Sequence, residues 1–134
     1  KRQPARIMMV DAALKLEGER SGQVIEGVGA AIGGPPTEKY KIEQVAVKYR
    51  IPLDAFVIKE SFREAVTEMN SRIAAACDRT IEMIKEAIRS RTKIGDRVVI
   101  VGVGNTIGIG QEKFPSQFPP PVEEKGAIES GRIF

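Results

Sequence analysis

The chain has 134 residues, a net charge of +3, 42% hydrophobic and 29% charged residues, the size and balance of one globular domain with a core of its own. Basic residues alternate with acidic ones, as in "RTIEMIKEAIRSR", so the pattern lacks the basic face of a nucleic-acid binder, and no apolar window approaches the roughly 20 residues of a membrane span. There is no histidine, which excludes histidine metal sites and nucleophile–histidine pairs, and the single cysteine, Cys77, forms no internal disulfide.

The opening "KRQPARIMMV" holds no initiator Met and enters an apolar run almost at once, which reads as a piece of a longer protein. Residues 6 to 10 are expected to form a buried strand ending at Asp11. The next stretch, "AALKLEGERSGQ", is open to two readings, a helical turn or an extended segment before a turn at Gly18 to Gly22. "VIEGVGAAIGG" reads as a strand giving way to a glycine loop that Pro35 and Pro36 close.

Ile42, Val45, Ala46 and Tyr49 recur at helical spacing, so residues 37 to 49 are expected to form an amphipathic helix beginning near Thr37. Pro52 disfavours helix at Ile51 and stops it. Leu53 to Ile58 is the next strand. Ser61 and Glu64 then have the spacing of a capping box, and Phe62, Val66, Met69, Ile73, Cys77, Ile81, Ile84 and Ile88 predict one helix to about Arg91. Such a helix is roughly 45 Å long, more than a small sheet covers, which predicts burial by a second copy or by a preceding segment.

"GDRVVIVGV" is a continuous apolar run, expected to be a central strand covered on both faces. Alternating strands and helices predict a three-layer α/β domain over residues 1 to 111 with a mainly parallel sheet and one long helix. Residues 112 to 134 are rich in Pro and charge and read as an extended tail.

Two glycine segments stand out. Residues 24 to 33, "VIEGVGAAIG", and 99 to 108, "VIVGVGNTIG", are identical at seven of ten positions. In a parallel sheet both would leave the carboxyl edge, where ligands of open α/β sheets bind. The second segment misses the dinucleotide fingerprint, because Ile107 stands where a third Gly is needed and the prolines beyond leave no room for a helix. Composition alone accounts for part of the echo, since strand ends are often Val/Ile-rich and turns Gly-rich.

The expected anion site comprises Gly27, Gly29, Gly33, Gly34, Gly102, Gly104, Asn105, Thr106 and Lys15, the first loop also meeting the amino end of the helix at Thr37. Asp11, Glu17 and Glu19 are the candidate Mg²⁺ ligands, hard oxygens near a phosphate, although charged residues around a surface turn are commoner than such a site. Lys59 and Glu60, just past a strand, are placed to reach the same edge, although Glu60 is equally explained as a residue preceding the helix cap. Cys77 lies on the apolar helical stripe and reads as a packed core thiol.

Taken together, "VDAALKLEGERSG", "GVGAAIGGP" and "VGVGNTIGIGQ" resemble the C-terminal part of an archaeal conserved domain of unknown function, number fifteen-twelve, over roughly residues 6 to 111. The resemblance implies a longer parent with an amino-terminal hydrophobic segment, and so a domain tethered at the cytoplasmic face of a membrane. It carries no activity to transfer. "VGVGNTIG" is also faintly similar to the first strand and loop of hydrogenase-maturation peptidases, but Gln111, Glu112 and a Pro-rich stretch follow it where that similarity implies acidic metal ligands. Two functions are thus expected: binding of a small anionic ligand, a phosphate or nucleotide with Mg²⁺, or a non-catalytic interaction and oligomerisation role.

Overall fold

The computed structural model describes residues 3–29 and 37–103. Seven elements follow one another: β1 (Arg6–Leu14), β2 (Val24–Val28), α1 (Thr37–Lys48), β3 (Leu53–Glu60), α2 (Phe62–Ala65), α3 (Ser71–Arg91) and β4 (Val98–Gly102). The four strands make one sheet in the order β2-β3-β1-β4. β1 pairs in parallel with β3, from Ile7↔Leu53 to Leu14↔Glu60, and with β4, from Arg6↔Val98 to Val10↔Gly102.

Alternation of side chains along β1 and β3 builds two apolar faces. Ile7, Met9, Leu53 and Ala55 pack with Ala46 and Ile42 of α1, and Val101 and Val103 extend that cluster. Met8 and Phe56 point to the other face and pack with Ile84 and Ala87 of α3. Ile58, Met69, Ile73 and Ala76 continue the α3 side toward the carboxyl ends of the strands. The domain is therefore mixed α/β with a mostly parallel sheet.

The open segment after Asp11 is extended: β1 continues to Leu14, and the turn follows. Gly22 closes that turn with φ 78°, and a Cβ there would lie 3.1 Å from both Cγ and the carbonyl oxygen of Arg72. Only glycine meets both conditions without strain.

β2 overturns the expectation of a common edge for the two glycine segments. It pairs antiparallel with β3, from Val24↔Ile58 to Val28↔Asp54. Gly29, with φ 90°, donates its amide to Leu53 O at 2.8 Å, so it sits at the amino end of β3, whereas Gly102 ends β4 opposite Val10, in the middle of β1. A short turn between β1 and β2 leaves no room for the crossover that a parallel β2 would need.

The single helix expected over 62 to 91 is two helices. The capping box is present: Ser61 Oγ accepts from Glu64 N at 3.2 Å, and Glu64 Oε2 accepts from Ser61 N at 2.8 Å. After one turn the helix stops, and Asn70 caps a new one by accepting from Arg72 N and Ile73 N at 2.9 and 3.1 Å. α3 buries Ile73, Ala76, Thr80, Ile84 and Ala87, whereas Phe62 and Ile81 of the expected stripe are 70% and 49% exposed. Thr80 satisfies its hydroxyl within the helix by donating to Ala76 O at 2.8 Å.

Among the described residues β4 is an edge strand, not a central one, and Val99 and Ile100 are 43% and 54% exposed. On α1, Ala46 is buried and Ile42 packs beside it, but Val45 and Tyr49 are exposed. The expected division at residue 111 lies outside the described residues.

Candidate functional site

The carboxyl edge of the parallel strands is the natural ligand edge of this topology. From β1 the chain proceeds to β3 on one side, and β4 is laid down on the other. The crevice between the carboxyl ends of β1 and β4 is thus the point where the strand order switches. Asp11 lies mid-strand on β1, one position past Val10↔Gly102, the last β1–β4 pair, and so beside the end of β4; it is 3% exposed, with Oδ1 accepting from Ala12 N at 2.8 Å. Val103 N donates to Val10 O at 2.7 Å, so the second glycine segment leaves the sheet beside Asp11. Gly104, Asn105 and Thr106 of that segment lie outside the described residues, as do Gly33 and Gly34 of the first.

The remaining expected residues are dispersed. Gly27 and Gly29 belong to the opposite edge, through the antiparallel pairing of β2. Lys15 follows β1 directly and donates its amide to Glu60 O at 2.8 Å. Glu17 is exposed in the turn. Glu19 Oε2 accepts from Leu16 N at 2.6 Å and lies 3.3 Å from Lys59 Nζ; the Leu16 amide, then Lys59 and Lys15, hold its carboxyl below the usual range. The Mg²⁺ trio of Asp11, Glu17 and Glu19 is therefore not assembled, and no cluster of three acidic or thiol ligands occurs among the described residues. Asp11 projects from a strand, while Glu19 is committed to the backbone of its own turn and to Lys59.

Sequence reasoning missed two polar networks. At the amino edge, Asp54, 2% exposed, accepts from Arg6 Nη1 on both oxygens at 2.9 and 2.8 Å. Arg91 Nη1 lies 3.2 Å from the same carboxylate and its other arm pairs with Glu26. These residues border an open groove of 570 Å³ with Gly27, Val28, Pro52 and Leu53. An Asp second in an apolar strand and an Arg heading another are the only sequence signs of this network, and neither names its partner.

At the carboxyl edge, Glu64 gathers donors from three segments: Ser21 Oγ at 2.6 Å, Ser61 N at 2.8 Å and Asn70 Nδ2 at 2.9 Å. Burial opposes its ionisation, but these hydrogen bonds outweigh burial and hold it below the usual carboxylate range. Glu60, 4% exposed at the end of β3, is pushed up to about 7 by burial and then by Glu64. Cys77 is half-buried, its thiol pushed up by burial, Asp78 and Glu60, an inert arrangement consistent with a packed thiol. Beside this network the turn after β1 and α3 enclose an open groove of 780 Å³ lined by Glu19, Arg20, Ser21, Gln23, Arg79 and Met83.

No helix among the described residues is long and apolar enough to cross a membrane. No curated protein and no solved structure matches the chain. The family model described as "Domain of unknown function (DUF1512) C-terminal" matches residues 1–110, which contain every described element and both glycine segments. With that match spanning most of the sequence, the chain belongs to the DUF1512 family, as its C-terminal domain.

Proposed function

We propose that this three-layer α/β domain binds a small phosphate-bearing ligand at the carboxyl edge of its sheet, between β1 and β4. Gly102, Gly104, Asn105 and Thr106 supply the loop, and Asp11 a hard oxygen for Mg²⁺ carried in with the ligand. The observation that carries the reading is the position of Asp11: a carboxylate only 3% exposed, on the first strand, at the switch point of the sheet. Burying a carboxylate costs free energy, and such a group at the ligand edge is suited to recognising a cation or a ligand hydroxyl.

Calorimetric titration of this chain with Mg²⁺, inorganic phosphate and Mg²⁺-nucleotides tests the proposal. Binding that Asp11→Asn weakens at least tenfold, with the circular dichroism spectrum unchanged, supports it. No heat with any of these at millimolar concentration, or equal affinity in the variant, defeats it.

The exposed β4 edge favours a second reading, self-association. Residues 98 to 103, "VVIVGV", place no charge or proline along the outer strand, the usual devices that keep sheet edges apart. Light scattering of the isolated chain decides: a dimer that Ile100→Lys dissociates supports association through β4, and a monomer across the micromolar range removes it.

A further inference from the structure

α1 is apolar over more of its circumference than the sheet can cover. Ile42 and Ala46 pack on Met9, Leu53 and Ala55. On the side turned away from the sheet, Tyr40 and Val47 stand seven positions apart, in line along the helix, and are 56% and 72% exposed. Val45 and Tyr49 are exposed as well. Tyr40, Val45 and Val47 border an open groove of 860 Å³ with Lys41, Gln44 and Lys48. A surface helix ordinarily turns polar residues outward, and an apolar patch in their place marks a docking surface.

We propose that residues 114 to 122 of this same chain, "FPSQFPPPV", dock on the outer face of α1. The path of the chain points to this occupant. Val103, the last described residue, packs with Val101 into the cluster on the α1 side of the sheet, so the chain leaves β4 in the layer that holds α1. Phe114 is eleven positions further on, a reach of up to ~36 Å when extended, against ~18 Å for the whole length of α1. The segment therefore meets the helix at the high effective concentration of a short tether, which a second copy matches only in concentrated solution.

The chemistry of the segment fits the same face. Pro115 and Pro119 to Pro121 favour an extended polyproline conformation, which loses little chain entropy on docking and packs well against aromatic rings. Phe114, Phe118 and Val122 bring apolar surface to Tyr40, Val45 and Val47. Glu123 and Glu124 follow directly, opposite in sign to Lys41 and Lys48 on the rim of the groove. Proline has no amide to complete a β-ladder, so a helix face suits this segment better than the open edge of β4.

A nitroxide attached at Ser116→Cys, in the full chain carrying Cys77→Ala, tests the docking through paramagnetic broadening of amide signals. The expected result is loss of the Gln44, Val45 and Val47 amide signals, recovered when the label is reduced. Val47→Asp should restore them too, and its exposed position leaves the core intact. Broadening that is absent, that falls on α3 or β4 instead, or that survives Val47→Asp overturns the proposal. A mixture of nitroxide-labelled chain with isotope-labelled chain lacking the nitroxide separates the occupants. Broadening of α1 in that mixture gives the face to a second copy and overturns the proposal; broadening confined to molecules that carry the label supports it. In the unmodified chain, nuclear Overhauser contacts between the Phe118 ring and the Val47 methyls support docking without any variant, and ring contacts to other elements alone, or to none, overturn it.

Discussion

Removing Asp54 tests the most deeply buried charge among the described residues. Asp54→Ala leaves Arg6, whose side chain is 17% exposed, with no carboxylate in front of it, and Arg6 Nε is already buried without a hydrogen-bond partner. Breaking a buried ion pair from one side costs about 3–5 kcal/mol. Arg91 is 35% exposed and retains Glu26, so water and the second carboxylate soften the loss toward ~3 kcal/mol. Arg91→Met removes only the outer arm and should cost ~1 kcal/mol or less, the range of a solvent-screened pair. The double change Arg6→Met with Asp54→Leu removes both buried charges together and should recover part of the loss. Urea unfolding followed by far-ultraviolet circular dichroism at pH 7 measures all three. A cost below about 1 kcal/mol for Asp54→Ala, or equal costs for Asp54→Ala and Arg91→Met, would refute the view that the amino edge is organised around this carboxylate.

Two further outcomes follow from backbone geometry. Gly22→Ala combines φ 78° with a Cβ 3.1 Å from Arg72 and should cost about 1–2 kcal/mol; Gly18→Ala, at φ 85° but in open space, should cost less, and the reverse order in urea unfolding would disprove the packing argument. Asn70→Ala removes the acceptor for Arg72 N and Ile73 N and one donor to Glu64, so it should lose about 1–2 kcal/mol, while Asn70→Ser keeps most of the cap; equal losses for the two would show that capping is not what starts α3.

Local physics made much of this domain legible in advance. Apolar runs bounded by turns marked β1, β3 and β4, a helical period with Pro52 beyond it marked α1, and the Ser61–Glu64 box is formed by residues only three positions apart. The family resemblance rested likewise on contiguous glycine motifs, and the family match agrees with it. What eluded the sequence required knowing which strand lies beside which. The segments 24 to 33 and 99 to 108, identical at seven of ten positions, begin in β2 and β4, yet β2 runs antiparallel at one edge and β4 parallel at the opposite edge, because a strand's direction is set by the length and path of its connection and not by its own residues. The repeat therefore suggested a shared cleft that the topology divides. The apolar continuity of "VVIVGV" was equally misleading: Val98 and Val101 are drawn into the cores on opposite faces, which demands apolar residues of an edge strand as it would of a central one. α3 shows the same limit on a smaller scale, since Asn70 restarts the helix and so rotates which residues face the sheet, bringing Thr80 inside and leaving Ile81 out. The carboxyl networks lay furthest from view. Arg6, Asp54 and Arg91 are separated by 48 and 37 positions of sequence, and Ser21 reaches Glu64 across 43; charges so far apart in the chain reveal their pairing only when the sheet aligns the strand ends, because an ion pair depends on distance in space and leaves no periodic trace in the sequence.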